Sequence, residues 1–347
     1  MNGRRTSALT GVRWVTAIVI STALLSVIAL AALAEGSSSL SMSRVLEGLI
    51  SGGFTPIETT ILMDARLPRV IFAALVGAAL ATGGVVFQAV LRNPLADPYI
   101  LGISGGAALG GSIVLAVGVA SFGVAAGAIV GAFVTIALIF GVAHWSPGGR
   151  SGTYVLLLTG VIFNAFAAAI IMFLKSVVSA QKAQELLFYL MGSLNVESVS
   201  THETFAVGLG VLCALVGLFW FARDLDLMTL GDDEAAALGV DVDRVRWKTV
   251  VIASVAVAIS VAYTGLIGFV GLIVPHALRL FLGPDHRLLL PVSALIGAAF
   301  LIFCDLLSRL FFPVFSTALP VGVVTAFVGG PLFFYFLRRA LMEGGTS

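Results

Sequence analysis

The chain alternates long apolar runs with short polar joints. The runs cover residues 14–34, 68–90, 98–118, 122–144, 153–175, 203–222, 247–264, 268–282, 291–309 and 319–338. Most approach or exceed about 18 residues, the length at which a run reads as a membrane-spanning helix. Hydrocarbon offers no partner to open backbone groups, so such runs must close their hydrogen bonds internally. A barrel would show alternating segments of about ten residues, and none appear. The pattern predicts an all-α polytopic membrane protein, a single transmembrane domain over 1–347 with about ten transmembrane helices. The eighth run is short and holds Pro275 and His276, so it is expected to pack partly inside the bundle. The first follows Arg4, Arg5 and Arg13 and ends in Ala-Leu-Ala, as a signal peptide does. At 21 residues it is too long for such a leader and suits an uncleaved span.

Charge sets the orientation. With the N-terminus inside, only Arg44, Arg66, Arg69, Lys175, Lys182 and Arg309 of the 19 basic residues fall on the outer side. Inner loops carry the basic excess in membrane proteins, so both termini are expected in the cytoplasm. Composition agrees with a membrane class: 59% of residues are hydrophobic and 11% charged, against about 25% charged in soluble domains. A net charge of +1 gives no reason to expect a nucleic-acid partner. Cys213 and Cys304 lie far apart inside apolar runs and read as small hydrophobes. Gly102, Gly106 and Gly110, and likewise Gly322, Ala326 and Gly330, recur every four residues. Such stripes let helices approach closely.

One inner loop, 223–246, is hydrophilic and holds Gly231-Asp232-Asp233-Glu234-Ala235-Ala236-Ala237-Leu238-Gly239. Three acids suit the positive start of a helix, alanines continue it, and Gly239 ends it. This predicts a short helix outside the membrane, about 231–240, whose small-residue face fits a groove on another protein. A solvated loop with one helical turn is the plainer alternative. The three lysines, Lys175, Lys182 and Lys248, do not stand in a Gly-x-x-x-x-Gly-Lys-Ser/Thr pattern. The chain thus has no phosphate-binding loop of that kind and no enzyme constellation. The histidines, His144, His202, His276 and His286, are scattered, with no metal-ligand spacing.

Several ordered blocks are more specific. Arg66-Leu-Pro-Arg69, Gly84-Val-Val-Phe-Gln88, Arg92-Asn93-Pro94-Leu95-Ala96-Asp97-Pro98 and Leu101-Gly102-Ile-Ser-Gly105 come first. Gly265-Leu-Ile-Gly268-Phe-Val-Gly271-Leu-Ile-Val-Pro275-His276 follows, then Leu319-Pro320-Val-Gly322 and Gly330-Pro331. Over roughly residues 60–338 the chain resembles the FecCD-type permeases of ABC importers for iron siderophores, haem and vitamin B12. The resemblance implies a multi-pass permease of the bacterial cytoplasmic (inner) membrane, working as a homodimer. It implies two ABC ATPases that use ATP and Mg, and a periplasmic or lipoprotein-anchored binding protein. The chain itself would bind no cofactor or metal. A ferric siderophore is the leading cargo, with haem or cobalamin next.

The resemblance also assigns roles. The helix Gly231–Gly239 matches the coupling helix that sits in an ATPase cleft. Arg66, Arg69 and Arg309 match arginines that meet glutamates of the binding protein, work that suits a rigid guanidinium fork. Asn93 and Thr153 match positions that narrow the inner end of the pathway. Asn164, polar at membrane depth, is expected to face that pathway. Asn93 and Thr153 also suit simple capping. Asp305 stands four residues before Arg309, a spacing that permits an intrahelical ion pair. Ala318 stands where the family often has an acid. The competing class is an ion-gradient-driven secondary transporter, which needs an ionisable residue at midplane; Asp305 is the one clear intramembrane acid in the sequence.

Overall fold

A computed structural model describes residues 11–35, 42–99, 101–118, 123–144, 153–194, 201–311 and 319–344. Every regular element among them is helical. The helices are α1 (Gly11–Ala34), α2 (Met42–Ser51), α3 (Pro56–Thr60), a π-helical turn (Ile61–Arg66), α4 (Leu67–Val90), α5 (Ile103–Val117), α6 (Val124–His144) and α7 (Thr153–Val177). There follow α8 (Ala180–Met191), α9 (Thr201–Trp220), α10 (Ala222–Met228), α11 (Asp232–Ala237), α12 (Val242–Thr264), α13 (Val270–Leu282), α14 (His286–Leu310) and α15 (Val321–Gly344). Ten of these coincide with the ten apolar runs, and the chain is a polytopic membrane protein.

Among the described residues, seven helices are long and apolar enough to cross a membrane, and α5, α13 and part of α15 are shorter apolar helices. At 1.5 Å per residue, the 13-residue α13 reaches only about 20 Å, too little for a hydrocarbon core of about 30 Å. The expected helix over 98–118 is shortened as well. Its first residues belong to an irregular linker, and α5 starts only after Gly102, whose φ of 80° needs the freedom of glycine.

Burial sorts the bundle. In α4, 83% of the apolar window is buried, and in α12 and α14 67%, whereas α1 and α7 reach 17%. The first three form the centre and the last two the periphery. Glycine permits the closest crossings. A Cβ on Gly84 would stand 1.8 Å from the Gly271 carbonyl oxygen, and one on Gly77 2.3 Å from that of Gly297. These contacts seat α13 and α14 against α4. The Gly106 and Gly110 stripe packs in the same way on Gly131 and Gly127 of α6, whereas Gly330 faces open space.

Pro275 lacks an N–H, so the Gly271 carbonyl four residues earlier loses its helical partner. The buried Gln88 amide of α4 reaches that carbonyl at 3.5 Å and the Leu272 carbonyl at 3.1 Å. A lost helical hydrogen bond thus becomes a joint to the central helix.

Candidate functional site

The inner lobe begins with α10, whose Ala222 and Leu225 are buried in the main core. One turn later Met228 belongs to a separate small core with Ala235, Val240 and Val245, flanked by Phe221, Leu227 and Val242. The sequence led us to expect one helix in this loop, and the second, α10, joins the bundle to the lobe. The expected helix is present as α11, with Ala235 fully buried beneath it. Asp233, Glu234, Ala236, Ala237, Leu238 and Gly239 are exposed, and so is Leu230 just ahead.

Asp232 is not part of that open face. Its carboxylate accepts from Arg246 of α12 at 2.8 and 3.0 Å and from Arg92, just past α4. Arg92 also donates to the Met228 carbonyl at 3.0 Å. Its φ of 47° is unusual for a side chain with a Cβ. Burial alone would raise the Asp232 pKa, but Arg246 and Arg92 outweigh it and hold the carboxyl below its ordinary value. A second tie joins Asp226 of α10 to His286, through the His286 backbone N–H at 2.8 Å and ring Nδ1 at 2.6 Å.

At the other end of the bundle, the structure brings Arg66, Arg69 and Arg309 together, but not as an open rim. Arg66 is buried and donates to the carbonyls of Leu33 and Ala34 at 2.5 and 2.7 Å. Arg309 is buried too and donates to Ala32 and Glu35. Both close the C-terminal end of α1, whose last carbonyls have no helical donor. Arg69 keeps 27% of its side chain exposed and pairs with Asp305 at 2.9 Å. The expected Asp305–Arg309 pair is present at 3.1 Å. Arg66 and Arg309 are thus engaged within the chain, and Arg69 is the most open of the three. An arginine has five donors to place, and here unsatisfied carbonyls take them.

Asn93 sits on the α4–α5 linker and Asn164 bonds to it. Asn93 Oδ1 accepts from the Leu95 N–H at 2.9 Å, an Asx turn. Asn164 donates to the Tyr99 carbonyl at 2.5 Å. Gly105 leaves it room, since a Cβ there would stand 2.2 Å from Asn164 Oδ1. Thr153 opens α7, and its side chain, like Ala318, lies outside the described residues. Cys304 is buried, Cys213 is exposed, and the described residues hold no metal-binding group of three.

The family model of the FecCD transport family matches residues 24–339. The chain belongs to that family. It is an ABC importer permease, consistent with its helices and exposed lobe. It is 41% identical over 274 residues to a cobalamin import system permease protein of Halobacterium salinarum, covering 79% of this chain and 72% of the relative. A molybdate import system permease protein of Haemophilus influenzae is 34% identical over 333 residues, covering 94% and 96%. A solved metal-chelate type ABC transporter in an inward-facing conformation superposes with a TM-score of 0.82 at 30% identity, covering 93% of this chain and 98% of the other.

Proposed function

We propose that this chain is one of two identical permease copies that pass a metal–organic chelate across the cytoplasmic membrane, with both termini inside. Ferric siderophores lead the substrates, with haem and cobalamin next. Two separate ATPases drive the copies, and a binding protein delivers the ligand outside. The observation that carries this reading is the lobe. Its outer face is small and apolar at Ala236, Ala237, Leu230 and Leu238, while Asp232 ties its base to α12 and to the end of α4. A surface built that way receives a partner and transmits its movement.

Two further observations support it. Asp305 accepts from Arg69 and Arg309, which employs as a structural counter-ion the acid that an ion-coupled transporter would need free. Broad apolar faces on α7 (Ile162, Phe166, Phe173) and α15 (Phe327, Phe334) are exposed, and a second copy and lipid would cover them. On the outer side, Arg69 is the arginine best placed for a binding-protein glutamate.

Capture of a Walker-type ATPase encoded beside this gene tests the reading. The wild-type permease in detergent should retain it, and Leu238→Asp should release it without lowering the permease melting temperature. Equal capture by both would refute the lobe as the docking surface. Titrating the cognate binding protein with a ferric siderophore, haemin and cyanocobalamin identifies the cargo.

A further inference from the structure

The lobe has a joint with the bundle that is separate from Asp232. α10 buries Ala222 and Leu225 in the main core and Met228 in the lobe core, so one short helix belongs to both. Between those contacts stands Asp226. Its Oδ1 accepts from the His286 backbone N–H at 2.8 Å and faces His286 Nδ1 at 2.6 Å. The His286 ring is fully buried. Arg279 Nη2 approaches the other ring nitrogen, Nε2, at 3.5 Å and donates to the Val85 carbonyl of α4 at 3.3 Å. A guanidinium only donates. With Nε2 as the acceptor, the ring proton sits on Nδ1, aimed at Asp226. The polar chain runs in one direction, from Arg279 of α13, through the first residue of α14, to α10.

We propose that Asp226, His286 and Arg279 form a strut that makes α10 a lever, passing movement of the ATPase-docking lobe into α13 and α14. The inference rests on the importer reading. Its physical basis is the placement of the carboxylate. A lever needs a fixed point between its two loads, and Asp226 lies between Leu225 in the bundle core and Met228 in the lobe core. Without the carboxylate, α10 keeps its apolar contacts but loses the polar tie that sets its angle to α14. Lobe movement would then be absorbed at the joint. The Asp232 ties reach the end of α4 and α12, so the strut supplies the route to the other two helices. The three groups act through one another and touch no substrate, so they are positioning residues.

The test uses the complete importer in proteoliposomes. Cys213→Ser removes the exposed thiol, and Leu310→Cys at the outer end of α14 carries an environment-sensitive fluorophore. ATP with vanadate should shift its emission when His286 is intact. Asp226→Ala should keep ATPase capture and hydrolysis and lose the emission shift at the far end of α14. His286→Asn, which puts an amide donor near the place of Nδ1–H, should retain most of it. An unchanged shift in Asp226→Ala would overturn the strut. So would parallel loss of hydrolysis, emission shift and melting temperature, the behaviour of a merely structural contact. If the wild-type chain captures no ATPase, the importer reading fails and the lever fails with it.

Discussion

Asp305→Ala is the sharpest test of the outer cluster. The Asp305 side chain is 1% exposed and takes two charge-assisted hydrogen bonds, from Arg69 Nε at 2.9 Å and Arg309 Nε at 3.1 Å, with Arg69 Nη2 also 2.9 Å away in the ion pair. Removing one partner of a buried ion pair costs about 3–5 kcal/mol, because the other charge is left unmatched. Two features lower that figure. Arg69 is partly exposed, and Arg309 keeps its bonds to the Ala32 and Glu35 carbonyls. A loss of about 2–3 kcal/mol remains as the expectation. For large domains each kcal/mol moves the melting temperature by roughly 2–4 °C, so a drop of about 5 °C or more is expected. The assay is thermal unfolding of the purified permease in detergent, read by loss of the monodisperse size-exclusion peak. Asp305→Asn keeps an acceptor and should fall between the wild type and Asp305→Ala. Equal stability of Asp305→Ala and wild type would refute the view that this carboxylate is a structural counter-ion. The ion-coupled alternative would then regain a free intramembrane acid.

Other expectations follow from single contacts. Gly84→Ala places a methyl 1.8 Å from the Gly271 carbonyl oxygen; overpacking of this kind costs about 1–3 kcal/mol or more, and a melting scan should show it. Gln88→Leu leaves the Gly271 and Leu272 carbonyls without the amide that reaches them, costing about 1–3 kcal/mol and raising hydrogen exchange around Pro275. The lobe should depend on pH through Asp232, whose carboxyl is held below its ordinary value. A lowered folded pKa gives stability that is present above the unfolded value, near 4, and is lost as pH falls through the folded value. Exchange protection of 232–246 should therefore hold from neutral pH down to about 4 and decline below it, and Asp232→Asn should abolish that decline.

How much of this was legible follows from what each contact needs. The ten runs carry their own signal, because a hydrocarbon solvent demands about 20 apolar residues in sequence. The start of α11 was legible for a similar reason, since acids and a bounding glycine are local features. The Asp305–Arg309 pair needed only a helical count of four. The fate of Arg66 and Arg309 was not legible. Their carbonyl partners on α1 lie 32–33 and about 275 residues away, and a pattern of basic residues cannot show which backbone ends lack donors. The partner of Asn164 was illegible for a related reason. Polarity at membrane depth shows that a partner is required, but not that the partner is the Tyr99 carbonyl on a linker 65 residues earlier. The late start of α5 had a signal in Gly102, but glycine also served the packing stripe, and sequence alone does not separate those uses.

The two charged ends of the bundle are built for different tasks, and exposure decides which. At the outer end, Arg309 and Asp305 are buried, so their interactions are desolvated, stiff and costly to break. Such a cluster fixes α1, α4 and α14 to one another. At the inner end, Arg92 and Asp232 are each 39% exposed, where water screens an ion pair to about 0–1 kcal/mol. Arg246 on the other side of Asp232 is 5% exposed. One carboxylate therefore has a firm partner on α12 and a soft one at the end of α4. The soft partner also holds a positive φ, a backbone state that costs about 1–3 kcal/mol and that other conformations would relieve. Arg92 is thus the weaker of the two ties on Asp232, and Arg246 the firmer.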